Sequence, residues 1–236
     1  MVRRVHERPR VCTSGLTVSA AMGRLVVIEG LDGAGKNTLT RRLLDALGAR
    51  ATAVAFPRYD ADVHAELARD ALHGRLGDLA DSVHAMAVLF ALDRRAAADD
   101  LRKALAGHDL VLVDRYVASN AAYGAARLHQ GADGEFVSWV HDLEIERFGL
   151  PVPDRHLLLD VPLAVAAQRA AHRERADPGR TRDRYESDAG LQDRTAAVYR
   201  DLAAAGWLAP WTVLDGAADI GDRDSGYAAL ADDLIG

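Results

Sequence analysis

Gly30, Gly35 and Lys36 stand in the stretch IEGLDGAGKNTL (28–39) at the spacing of a phosphate-binding loop, G-x-x-x-x-G-K-[ST]. The match has one departure: Asn37 occupies the usual Ser/Thr position and Thr38 follows one step later. Backbone N–H groups from Gly30 through Gly33, Ala34, Gly35, Lys36, Asn37 and Thr38 can converge on phosphate oxygens, and the helix opened by the loop adds partial positive charge. Lys36 would bridge the terminal phosphates as a point charge, and is expected to face solvent until a nucleotide arrives. It is one of only two lysines, with Lys103, in a chain that otherwise uses arginine. A hydroxyl after the lysine normally helps hold Mg²⁺. Whether Asn37 or Thr38 reaches the metal stays open.

Other segments carry matching chemistry. LVLVDRY (110–116) places Asp114 where a metal-holding acid sits at the carboxyl edge of a parallel sheet, with Arg115 beside it. FPRY (56–59) leaves a second strand at that edge and offers Arg58. In LFALDR (89–94), Phe90 and Arg94 lie four apart on one helical face, a spacing that can stack a base and bond its edge. DRYVASNAAY (114–123) sets Ser119, Asn120 and Tyr123 on the first turns of the next helix. Each has a plainer use too: Phe90 as core, Asn120 as a cap, Arg94 on a solvated face.

HRERADPGRTRDRYE (172–186) packs Arg173, Arg175, Arg180, Arg182 and Arg184 around a Pro-Gly turn. Too polar for a core, it reads as a mobile surface loop. Beside a triphosphate it would be a lid, and an arginine delivered to the transferring phosphoryl group is worth on the order of 10³–10⁵ in rate.

These residues need a scaffold that brings strand ends together. Short apolar runs at 24–29, 51–56, 110–114, 155–161 and 211–214 read as buried strands, two of them halted by Pro57 and Pro162. Leu39, Leu43, Leu44 and Leu47 share one helical face that stops at Gly48, and helical patterns run near 61–73, 82–106, 117–130 and 134–148. Strands separated by helices imply an α/β fold with a parallel sheet covered on both faces, in one domain from residue 23 to 236.

Composition narrows the function classes. A net charge of −6 and a pI near 5.8 leave no basic excess for nucleic acid. One cysteine, Cys12, allows no internal disulfide and no cysteine-based zinc site, and the nine histidines show no HExxH spacing. No apolar run is long enough for a membrane span. Residues 1–22, with four arginines and one acid, faintly resemble a transit peptide, but read better as a disordered extension or a start upstream of Met22.

The set EGLDGAGKNTL, FPRY, LFALDR, DRYVASNAAY and the arginine-rich segment ending in YE, in this order, resembles bacterial thymidylate kinase, particularly the actinobacterial form. The resemblance runs from about Met22 to Trp211, leaving the acidic tail after Leu214 outside. It implies a P-loop NTPase three-layer sandwich, a five-stranded parallel sheet in order 2-3-1-4-5 with a short lid at about 172–186. It implies transfer of a phosphoryl group from ATP·Mg²⁺ to dTMP in dTTP synthesis, by a cytoplasmic homodimer. By motif, Lys36 and Thr38 hold the ATP phosphates, and Asp32, Thr38, Asp114 and Glu186 form the metal region. Arg58 and Arg115 hold the acceptor phosphate, with Phe56 and Tyr59 beside them. Phe90 stacks on thymine, Arg94 and Asn120 bond its edge, Ser119 adjoins them, and Tyr123 crowds the sugar's 2′ position. Tyr185 and Glu186 close the lid side. Because Gly33 follows Asp32, the resemblance assigns transition-state charge to lid arginines such as Arg173, Arg180 and Arg184, together with Lys36, Asp32 and Arg115.

An acceptor phosphate is already ionised at neutral pH, so positioning and charge neutralisation suffice without a general base. Two rivals stay open: a deoxynucleoside kinase, which would need no pair of acceptor-phosphate arginines, and a nucleotide-dependent switch ATPase with no small-molecule acceptor.

Overall fold

The computed structural model describes residues 22–176, 183–217 and 224–236. Its centre is β1 (Arg24–Glu29), whose side chains alternate between two apolar layers. Leu25 and Val27 enter one buried cluster, Val26 and Ile28 the other. β3 (Leu110–Asp114) and β4 (Arg155–Asp160) pair with β1 on either side, and β2 (Ala51–Ala55) and β5 (Trp211–Asp215) form the edges. Every pairing is parallel and the order is β2-β3-β1-β4-β5, as the resemblance implies. The register sets Ile28 and Ala55 opposite Asp114, so the loops after β1, β2 and β3 leave the sheet side by side.

The glycine loop leads into α1 (Lys36–Leu47), which buries Leu39, Leu43 and Leu47 against one face of the sheet. Each such leucine contributes roughly 1.5–3 kcal/mol. Leu44, expected on the same face, is only partly buried. Also on this face is α9 (Asp224–Ile235), which adds Tyr227, Ala231 and Leu234 to that cluster. The opposite face is covered by α3 (Val83–Gly107), α4 (Val117–Arg127), α5 (Glu135–His141) and α8 (Ala189–Ala205). α2 (Val63–Leu72) is capped by Asp62 and packs on α3 through a smaller cluster with Ala80 and Met86. α5 continues into a π-helical turn, Asp142–Arg147. On β4, His156 lies flat against Trp211 (centroids 4.2 Å apart), and burial pushes its pKa down to about 3, so it packs as a neutral ring.

The segment expected to be a loop at 172–186 is partly helical. α6 (Leu163–Ala176) runs through its first residues and the single turn α7 (Arg184–Ser187) holds its end. Residues 1–21 and 177–182, with Arg180 and Arg182, and the Arg173 side chain lie outside the described residues.

Candidate active site

At the carboxyl edge of the sheet the glycine loop, the β2 and β3 loops, α3, α4, α6 and α7 surround one cleft of about 1490 Å³. Pockets for a single small ligand span roughly 300–1,000 Å³, so this cleft is larger than one such ligand requires. From the loop, Asp32, Gly33, Gly35, Lys36, Asn37 and Thr38 line it, while Gly30 and Ala34 do not. The backbone explains the glycines. Gly33 has φ +88° and a Cβ there would stand 2.2 Å from the Ala166 carbonyl oxygen on α6.

Lys36 departs from expectation. Its side chain is buried, and Nζ donates to the carbonyls of Gly30 (3.1 Å) and Leu31 (3.0 Å), folding the lysine back across its own loop. The loop's own carbonyls thus satisfy two of the ammonium's hydrogens. Asn37 and Thr38 are both exposed at the helix start.

Opposite the loop stands a wall made by α3 and α4. Phe90, Arg94, Asn120 and Tyr123 all reach the cleft, as do Phe56, Tyr59, Ser119, Tyr185 and Glu186. Tyr123 stacks on Tyr185 with ring centroids 6.0 Å apart and donates its hydroxyl to Asp32 Oδ2 (3.1 Å). Arg115, in a left-handed backbone conformation (φ 66°), aims Nη2 at Asp32 Oδ1 (2.6 Å) and Nη1 at Ser119 Oγ (3.3 Å). A non-glycine residue there costs on the order of 1–3 kcal/mol, a strain typical of functional sites.

Arg58 is the clearest correction. Its N and Nε donate to the Asp93 carboxylate (2.9 and 2.7 Å) and its Nη2 to the Asp93 carbonyl (2.9 Å), so it braces the β2 loop against α3 and does not line the cleft. Arg184 also stays outside and pairs with exposed Asp81 at 2.9 Å. Of the lid arginines, Arg175 lines the cleft.

Four residues were missed. Glu29, fully buried at the end of β1, accepts from the Tyr116 N–H (2.9 Å), the Ser119 N–H (3.2 Å), Ser119 Oγ (2.6 Å) and the Tyr199 hydroxyl (2.9 Å). It caps α4 from another strand, where the Tyr116 side chain gives no cap. Asp183 lines the cleft and caps α7, accepting from the Tyr185 and Glu186 N–H groups. Its D-x-x-E spacing was a readable signal. Arg127 donates to the Tyr185 hydroxyl and to the carbonyls of Ala80 (2.7 Å) and Asp81 (3.1 Å), tying α7 to the turn before α3. Glu144 carried no sequence signal.

A profile of the thymidylate kinase family matches residues 28–212. The chain belongs to the thymidylate kinase family. It is 52% identical over 200 residues to the thymidylate kinase of Mycobacterium tuberculosis, covering 84% of this chain and 94% of that one. The human thymidylate kinase is 29% identical over 221 residues, covering 92% and 94% respectively. The solved thymidylate kinase of Candida albicans shares the fold, with a TM-score of 0.66 at 21% identity over 91% of each chain.

In this thymidylate kinase family member the charges of the cleft are set by burial and by one another. Burial raises the Asp32 pKa, but the Arg115 and Lys36 charges and the hydrogen bonds from Arg115 and Tyr123 outweigh it, leaving the carboxyl well below its usual range. Burial, reinforced by the Arg115 charge, lowers Lys36 to about 8. Asp183 is shifted up, chiefly by burial, with the Asp32 charge adding to it. Asp114 Oδ1 is buried without a hydrogen-bond partner among the described residues. No group of three or more His, Cys, Asp or Glu side chains among them could hold a metal unaided. A single unpartnered carboxylate oxygen suits Mg²⁺ shared with nucleotide phosphates, since Mg²⁺ commonly takes only one or two carboxylates plus phosphate oxygens.

Proposed function

We infer that the chain transfers the γ-phosphoryl group of ATP to dTMP, giving dTDP and ADP. The observation that carries this reading is one cleft joining a phosphate loop to a base-sized wall, with the Asp32–Arg115 pair between them. Gly33, Gly35, Lys36 and Thr38 bind the donor phosphates, and Lys36 exchanges its loop carbonyls for phosphate oxygens. Phe90 stacks on the acceptor base, and Arg94 and Asn120 read its edge. Tyr59 and Arg115 orient the acceptor phosphate, whose oxygen forms the new bond to the γ-phosphorus as the bond to the β-phosphate oxygen breaks. Tyr123 fills the space beside the sugar. Asp114, Thr38, Asp32 and Glu186 would hold Mg²⁺ with the phosphates, which when bound neutralises charge on the transferring group. Tyr185, Glu186 and Arg175, which line the cleft, close over it and exclude water.

A cytoplasmic homodimer completes the reading. The single cysteine suits a reducing compartment. We place Val63 and Leu67, four apart on α2 and both exposed, at the seam between two chains, and light scattering checks the pairing.

The test is a steady-state panel of dTMP, dUMP, dCMP, dGMP and thymidine with ATP. ADP release should depend on added dTMP. Turnover indifferent to any acceptor would favour a switch ATPase, and a preference for thymidine would favour a nucleoside kinase. Thymidine is informative because Arg58, expected beside the acceptor phosphate, is held by Asp93 instead.

A further inference from the structure

Glu144 is fully buried in the π-helical turn after α5 and does not line the cleft, yet its carboxylate touches two residues that do. Arg94 donates Nε to Oε2 (2.5 Å) and Nη2 to Oε1 (2.7 Å). Asn120 Nδ2 donates to Oε1 (2.8 Å), and donates again to the Ala87 carbonyl (3.0 Å). Both hydrogens of the Asn120 amide thus go to oxygens that can only accept. Rotating the amide by half a turn would point Oδ1 at those two oxygens and lose both bonds.

The consequence lies on the cleft side. Oδ1 of Asn120 and Nη1 of Arg94 form no hydrogen bond among the described residues, and both residues face the cleft. The wall therefore presents a fixed acceptor beside a fixed donor. A pyrimidine with a ring N–H next to a carbonyl, as in thymine and uracil, complements that pair. Cytosine reverses both positions, with a ring acceptor next to an amine.

We propose that Glu144 is a positioning residue that sets pyrimidine specificity, by locking the Asn120 amide and the Arg94 guanidinium in the polarity that reads a keto base and refuses an amino base. This rests on the reading that Phe90, Arg94 and Asn120 take the acceptor's base. A carboxylate is required because a glutamine of the same shape has a single acceptor oxygen. Placed at the Oε2 position its NH₂ meets Arg94 Nε, and placed at the Oε1 position it meets Arg94 Nη2 and Asn120 Nδ2 together, so either rotamer loosens the guanidinium and the second also turns the Asn120 amide.

The test compares wild type with Glu144→Gln for kcat/KM on dTMP, dUMP and dCMP at saturating ATP. With Glu144→Gln the dTMP and dUMP values should fall while dCMP holds or rises, narrowing the dTMP:dCMP ratio by at least about tenfold. An unchanged ratio, whether all values fall together or none does, overturns the proposal. In an Asn120→Ala background the same substitution should narrow the ratio by much less, through Arg94 alone; a further narrowing of equal size overturns the route through Asn120. Should Glu144→Gln fail to fold, hydrogen exchange on wild type still decides. The Asn120 side-chain NH₂ protons should exchange slowly, and rapid exchange of both overturns the lock. A wild type that phosphorylates no dTMP sinks the reading of the cleft itself, before any variant is compared.

Discussion

Arg115 and Asp32 are 83 residues apart in sequence and meet at 2.6 Å across the floor of the cleft, one closing β3 and the other inside the glycine loop. The contact continues through Ser119 to Glu29 and the Tyr199 hydroxyl, so the phosphate loop, the end of β3, α4 and α8 share one chain of hydrogen bonds. Charge at the acceptor side is thereby fixed before substrate enters, the arrangement that makes electrostatic stabilisation effective.

The pair has a pH signature. Asp32 has a depressed pKa in the folded state, so its contribution to stability is present above the unfolded value near 3.8 and is lost only as pH falls through the lower folded value. The melting-temperature difference between wild type and Asp32→Asn should therefore be constant from about pH 5 to 7, below the range where Lys36 loses its charge, and shrink below about pH 4. A difference that already narrows at pH 6 contradicts the coupling. The acid limb of activity should instead follow the acceptor phosphate, whose second ionisation lies near 6.

Lys36 gives the alkaline side. With its pKa lowered to about 8 in the free protein, its charge fades as pH rises through that value, and ATP affinity should weaken over the same range. Lys36→Ala should abolish this limb and lower kcat on the order of 10²–10³-fold. Calorimetric ATP titrations between pH 7 and 9.5 check the first effect, and an affinity flat across that range contradicts it.

Glu29 should be structurally expensive to remove. Glu29→Ala leaves the Tyr116 and Ser119 N–H groups, and one of the two hydroxyls of the Ser119–Tyr199 pair, without an acceptor, at a cost of about 3–4 kcal/mol in urea unfolding. Glu29→Gln keeps an oxygen for the N–H groups and can offer its NH₂ to the hydroxyls, so it should cost only about 1 kcal/mol. Equal losses in the two variants would remove the capping role.

Tyr123 separates bulk from hydrogen bonding. Tyr123→Phe loses the bond to Asp32 but keeps the ring stacked on Tyr185, so preference for deoxyribose should persist. Tyr123→Ala should relax it by about tenfold or more, measured as kcat/KM for dTMP against its ribose counterpart. Unchanged discrimination in the alanine variant would take Tyr123 out of that role.

The strands and the phosphate loop were legible because buried parallel strands are near-continuous apolar runs and the loop has a fixed spacing. Strand order came only from the resemblance, since an apolar run does not say which neighbour it takes. α8 carries Leu191, Thr195, Val198, Tyr199 and Leu202 at helical spacing, but the charge run before it and the polar residues between them blur its apolar face. Arg58 was misplaced because sequence shows a guanidinium at the cleft edge and not the buried Asp93 carboxylate, 35 residues on, that takes it. Lys36 was expected in solvent because sequence does not show that the loop's own carbonyls turn toward the ammonium. Glu29 and Glu144 were invisible for a related reason. Each looks like an ordinary acid on a strand end or helix, and becomes an acceptor only when distant donors are folded onto it.

The last helix carries a lesson for genetics. α9 lies wholly beyond the part matched by the family profile, yet it buries Tyr227, Ala231 and Leu234 in the same cluster as the leucines of α1, and Asp233 pairs with Arg155 on β4. A stop codon or frameshift after residue 215 would spare every motif residue of the cleft and still strip the support from behind the helix that begins at Lys36. Such an allele would read as harmless on a motif map and behave as a loss of function.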